Sequence, residues 1–170
     1  MPIVTCRDKD GKLYNVPSEQ LIFRPSAYGI IIHEGKILLS KQWDGYDFPG
    51  GGIELHETAE ETVRREVHEE TGYDVRVQNI LSCYSSFFAF THNKETAPFF
   101  ANTILLYYFC EVIGGEASTA GFDTEEKLYA DLPEWIPLNQ IPTLRFYNSI
   151  DSQALIATAI EKTSQEKSAT

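Results

Sequence analysis

Very little in this sequence could be cross-linked, could hold a soft metal or could enter a bilayer. The three cysteines, Cys6, Cys83 and Cys110, are odd in number, lie far apart and form no CxxC pair. That excludes a disulfide framework and a closed zinc site, and predicts reduced thiols in a cytosol-like compartment. The longest apolar run, residues 104–110, is far too short to span a membrane, and the opening MPIVTCRDKDGK has no apolar stretch of signal-peptide length. A soluble, cytoplasmic protein is expected. Basic residues are also scarce, with 14 Lys and Arg against 25 Asp and Glu and a net charge of −11. Nucleic acid backbones and anionic membrane surfaces are therefore poor partners. An anionic substrate would need something other than side chains to neutralise it.

What is present reads as one globular domain. The 170 residues fall within the usual span of about 100 to 200 per domain, and there is no internal repeat or linker. Residues 1–162 are assigned to a single domain and 163–170 (TSQEKSAT) to a frayed tail. The turn Asp8-Lys9-Asp10-Gly11 predicts a hairpin, and Glu34-Gly35 predicts a second one between strands 27–33 and 36–41. Phe48-Pro49-Gly50-Gly51-Gly52 reads as a loop whose backbone can approach a ligand. Thr58-Ala59-Glu60-Glu61 fits a capping box, Gly72 a left-handed cap, and Ala59, Val63 and Val67 between them form one buried helical stripe. Strands are expected at 75–84 and 103–113, and a C-terminal helix over 146–162. Strands interleaved with a central and a terminal helix indicate an α/β or α+β layered fold.

Three carboxylates carry the chemical signal. At 100° per residue from Val63, Glu70, Glu66 and Glu69 fall roughly 20°, 60° and 120° to one side of the buried stripe, while Glu61, Arg64 and His68 lie on the wet side. Like charges three and four residues apart weaken a helix, and these are half drawn into the domain. Arg65 can pair with Glu69 but cannot neutralise all three. An oxygen-only cluster suits Mg²⁺, with Mn²⁺ as a substitute, rather than zinc. Acidic residues on a helix ordinarily make a solvated face; the glycine segment before this helix and the cap after it favour a site.

Gly51-Gly52-Ile53-Glu54-Leu55-His56-Glu57, seven residues, then Arg65-Glu66-Val67-His68-Glu69-Glu70-Thr71-Gly72-Tyr73 resembles a complete Nudix box. The only departure is an aromatic, Tyr73, at the final apolar position. The resemblance implies an α/β/α sandwich with a mixed sheet. It also implies hydrolysis of a nucleoside diphosphate linked to another moiety, by water attack on phosphorus. By position, Glu66, Glu69 and Glu70 resemble the family's metal ligands, Arg65 the residue that orients a box glutamate, and Glu57 a helper at that end. Gly51, the opening glycine, is assigned to both metal and substrate. A divalent cation would also let an acidic protein hold a polyanion. Relatives often add a glutamate from a loop shortly before a Trp-containing strand; Glu125 and Glu126 precede Trp135, and Glu126 is the choice, with Glu95 and Glu116 as rivals.

Outside the box, Arg24, Trp43, Tyr46 and Gly50 are assigned to the substrate, and His56 lies beside Glu57. Phe87, Phe88, Phe90, Phe99 and Phe100 bracket residues 91–98 and could stack a base, although core or dimer packing suits most of them. The extra signatures of the ADP-ribose, NADH and diadenosine polyphosphate subgroups are not found, which leaves nucleoside triphosphates as the default. A small nucleotide is the expected partner, with a second copy of the chain as a candidate. Two alternatives remain: a non-catalytic nucleotide-binding or sensor module, and an RNA-end pyrophosphohydrolase, which the acidic composition disfavours.

Overall fold

The computed structural model describes residues 1–91, 98–122, 130–148 and 150–168, with side chains to residue 162. The first hairpin forms from β1 (Ile3–Arg7) and β2 (Leu13–Pro17). Its turn closes because Asp8 Oδ1 accepts from the amides of Asp10 and Lys12 at 3.0 and 2.9 Å, and Gly11 adopts φ +85°. There follow β3 (Leu21–Phe23), β4 (Ser26–His33), β5 (Lys36–Gln42), β6 (Gly45–Asp47) and β7 (Gly50–Gly52). Helix α1 (Ala59–Thr71) precedes the long pair β8 (Tyr73–Phe90) and β9 (Phe99–Gly115), then β10 (Ala130–Pro137) and α2 (Ser152–Ser168).

The strands make one mixed sheet in the order β10-β5-β4-β9-β8-β1-β2, with β3, β6 and β7 paired to β9, β5 and β4. β4 runs parallel to β9, and β8 antiparallel to it. Alternation along β4 sends its side chains to two cores. Ala27 and Ile31 join Val63 and Val67 of α1 on one face. On the other face, Ile30 joins Tyr107 and Leu155, Ile156 and Ala159 of α2. This is the expected three-layer arrangement. Val63 and Val67 are fully buried, and each contributes about 1.5–3 kcal/mol by leaving water. Gly29 lets α1 approach, since a Cβ there would stand 3.1 Å from the Val67 Cγ2.

Local signals set α1 as expected. Thr58 caps it, the Glu61 side chain returns the capping-box bond, and Gly72 ends it at φ +75°. Two expectations need correction. Residues 50–52 form a strand rather than a loop, pairing with 26–28 of β4; only glycine fits at 50, where a Cβ would meet the Ala27 carbonyl oxygen at 2.4 Å. The C-terminal helix begins at Ser152 rather than 146 and continues to Ser168, into the segment expected to fray. The chain before it is extended because Phe146 bridges Tyr46, with the Tyr147 amide donating to the Tyr46 carbonyl at 3.1 Å. The start signal is Asp151, whose Oδ1 accepts from the Ala154 amide at 3.0 Å.

Candidate active site

Packing α1 under β7 places its acidic face against a cavity of about 520 Å³. Glu66, Glu69, Glu70 and Arg65 line it together with Gly50–Gly52, Arg24 and Trp43. The close approach expected of the glycines is real, and its first partner is a carboxylate. A Cβ on Gly51 would stand 2.5 Å from Glu66 Oε1.

Arg65 gathers the carboxylates. Its Nε and Nη2 donate to the two oxygens of Glu57 at 2.6 and 2.9 Å, and its Nη1 donates to Glu66 and Glu69 at 2.9 and 3.1 Å. The guanidinium lowers the Glu57 carboxyl to about 2, helped by the Thr62 hydroxyl at 2.9 Å. Glu57 in turn holds the fork in place. Glu70 accepts from the Ser40 hydroxyl at 2.6 Å and from the Gly50 amide at 3.3 Å.

Arg24 donates to Ser26 Oγ at 3.1 Å and lies 5.0 Å over the Phe90 ring, beside Gly52. Trp43 sits at the rim at φ +45°, an unusual backbone for a bulky residue, edge-on to Tyr147 at 5.3 Å and under the Lys9 ammonium at 4.8 Å. Tyr46 is a correction: it does not line the cavity, because its hydroxyl donates to Glu134 at 2.9 Å, beside Lys41. His56 is exposed and faces Glu54. Of the bracketing aromatics, Phe88 and Phe90 line the cavity, Phe87 and Phe99 are exposed, and Phe100 packs on Tyr14. Glu116 is exposed and outside the cavity. Glu95, Glu125 and Glu126 lie outside the described residues.

Several lining residues were not foreseen: Lys9, Tyr28, Asp47, Tyr107, Tyr147 and Asn148. Lys9 adds a second basic side chain to the lining beside Arg24. Lys9 comes from the hairpin turn and has no local sequence signal, whereas Asp47 adjoins the glycine segment and could have been found by proximity. Burial raises the Asp47 carboxyl to about 6, against the lowering effect of Asn148 and the Phe48 amide.

A carboxyl whose folded value exceeds its ordinary one near 4 is harmless below that value, and lowers stability as pH rises through the folded one. Asp47→Asn is therefore expected to raise stability at pH 7.5, by on the order of 1 kcal/mol, and to have no such effect near pH 4. Thermal melts at the two pH values check this; a gain equal at both would remove the charge as its cause.

The oxygen-only donor set and the glycine backbone laid against Glu66 fit a hard cation. Among the described residues no three His, Cys, Asp or Glu side chains are spaced as a ready cage.

The NUDIX domain family model matches residues 23–157. An ADP-ribose pyrophosphatase of Methanocaldococcus jannaschii is 37% identical over 123 residues, 69% of this chain and 64% of its own length. A MutT-like protein of Streptomyces ambofaciens is 39% identical over 102 residues, 58% of each chain. The chain thus spans less than two thirds of either relative. A crystal structure of an ADP-ribose pyrophosphatase from Streptococcus suis superposes with TM-score 0.60 at 21% identity, covering 84% of this chain and 92% of that one, which is a likeness of fold.

Proposed function

Because the chain belongs to the Nudix family, we propose that it is a pyrophosphohydrolase cleaving a nucleoside diphosphate linked to another moiety, by water attack on phosphorus. Nucleoside triphosphates are the default substrate. The observation that carries this reading is the arrangement of three box carboxylates and a glycine strand in one cavity that also presents the aromatic rings of Tyr28, Trp43, Phe88 and Phe90. Nudix hydrolases generally use divalent metal ions. Here Glu66, Glu69 and Glu70 would hold Mg²⁺, or Mn²⁺ in its place, near the Gly51 backbone. Such an ion, when bound, neutralises diphosphate oxygens and lowers the pKa of a water.

The chain's own groups do the rest. Arg65 keeps Glu57 ionised and orients Glu66 and Glu69, Ser40 and the Gly50 amide fix Glu70, and Arg24 offers a guanidinium to phosphate. The non-reacting part of the substrate lies towards Trp43 and Tyr28. Glu126 remains the proposed source of an extra ligand or base. Its action is placed in the cytoplasm, on small nucleotides rather than on membranes or nucleic acid, with a homodimer as its proposed assembly.

The test is a phosphate-release screen over nucleoside triphosphates, nucleotide sugars and ADP-ribose with Mg²⁺ or Mn²⁺, using a phosphatase to reveal monophosphate products. Turnover that requires the cation and yields a nucleoside monophosphate is expected. Absence of turnover on every diphosphate, with nucleotides still bound, would favour a binding module.

A further inference from the structure

The cavity lining holds two side-chain oxygens that lack a hydrogen-bond partner among the described residues. Tyr107, in β9, is fully buried, stacked on Tyr28 at 5.2 Å and edge-on to Phe48 at 5.8 Å. Its hydroxyl has no partner among the described residues. Burial, then the neighbouring Tyr28 and Asp47, push its ionisation far up, so it keeps its proton. Asp47 is equally one-sided. Its Oδ1 accepts from the Phe48 amide at 2.8 Å and from Asn148 Nδ2 at 3.0 Å, whereas no described residue donates to Oδ2. Asn148 is held in turn by Ser152 at the start of α2, whose hydroxyl donates to Asn148 Oδ1 at 2.8 Å. The carboxylate cannot rotate without breaking this chain, so Oδ1 stays engaged and Oδ2 is the acceptor left over.

A buried hydroxyl without a partner is costly, and beside it a carboxylate oxygen without a donor is an acceptor open to a ligand. They form the floor of the cavity whose rim carries Trp43 and Tyr147. Their deficit matches an aromatic ligand bearing an NH₂ group. Such a group projects beyond its ring to reach a recessed oxygen and supplies the donor that Asp47 Oδ2 lacks.

We propose that this end of the cavity is a base-recognition subsite in which Asp47 Oδ2 accepts from the exocyclic amino group of a nucleobase. It thereby selects adenine or guanine over hypoxanthine, and cytosine over uracil. The inference rests on the reading that a nucleotide occupies the cavity. For adenine and cytosine, deamination sets a carbonyl where the amino group stood and turns an acceptor towards the carboxylate; for guanine, loss of the 2-amino group removes the donor.

The test is metal-free equilibrium binding of nucleoside monophosphates, which contain no diphosphate linkage. AMP and GMP are compared with IMP, and CMP with UMP. At least one amino-bearing member is expected to bind about tenfold or more tightly than its counterpart, the scale of a hydrogen bond to a charged group. Asp47→Asn keeps Oδ1 on the Phe48 amide and Asn148, so it presents an amide NH₂ to the cavity. The preference of the AMP/IMP or CMP/UMP pair should then reverse. Tyr107→Phe should narrow the amino preference severalfold without reversing it. Equal binding within every pair, failure of all monophosphates to bind at millimolar concentration, or a preference unchanged in Asp47→Asn would each overturn the proposal. Base discrimination without turnover on any diphosphate would instead defeat the hydrolase reading and leave this subsite standing.

Discussion

Glu69→Gln is expected to leave the fold intact and lower turnover by roughly a thousandfold, the scale of several kcal/mol of lost charge stabilisation at the reacting phosphate. The fold should survive because Glu69 is the most exposed of the Arg65 partners, with its side chain 42% accessible, against 13% for Glu66 and 9% for Glu57. An amide oxygen can still accept from Arg65 Nη1. What the variant loses is one of the three negative charges that Glu66, Glu69 and Glu70 turn to the cavity. Glu60→Gln is the control: that carboxylate is exposed, lies outside the cavity and pairs with Arg64 at 3.5 Å. Steady-state kinetics over a range of Mg²⁺ concentrations, with a melting curve for each variant, separate the outcomes. Full turnover of Glu69→Gln in metal-depleted buffer would sink the metal assignment. A comparable loss in Glu60→Gln would point to general surface charge.

The parts of this architecture that were legible in the sequence are those fixed within one or two turns of chain. Thr58, Glu61 and Gly72 define α1 by contacts three and four residues apart, and the turns at 8–11 and 34–35 define their hairpins. The acidic face of α1 was legible for the same reason: a helix converts spacing directly into direction. The cavity's other walls depend on pairings that spacing does not encode. Asp47 meets Asn148 across 101 positions, and Tyr46 meets Glu134 across 88. The second pairing turned Tyr46 away from a site that its neighbourhood to the glycines suggested. Residues 146–148 carry an apolar and polar mix compatible with a helix, and only the bridge to Tyr46 makes them extended. Phe88 and Phe90 reach the cavity because β8 continues six residues past its expected end at 84, paired with β9.

The same long-range dependence makes Arg65 the residue whose replacement should reach furthest. Arg65→Lys keeps the charge but removes the planar fork, so one ammonium must choose among Glu57, Glu66 and Glu69. Two consequences are expected. Turnover should fall about a hundredfold or more while the Michaelis constant changes little, because the carboxylates lose their orientation and no group assigned to the substrate is removed. Stability should fall by on the order of 2 kcal/mol at neutral pH, from loss of a bidentate, partly buried charge pair. The sign with pH follows from Glu57. Its carboxyl is lowered to about 2, so its contribution is present above its ordinary value near 4.3 and is lost as pH falls through about 2. The stability gap between native protein and Arg65→Lys should therefore be full at pH 7 and shrink steadily below about pH 4. Urea unfolding at pH 7, 4 and 3, run beside the kinetics, checks both. A sharp rise in the Michaelis constant with turnover unchanged would make Arg65 a substrate ligand, and a gap that persists undiminished at pH 3 would mean that the Glu57 pair is not what Arg65 stabilises.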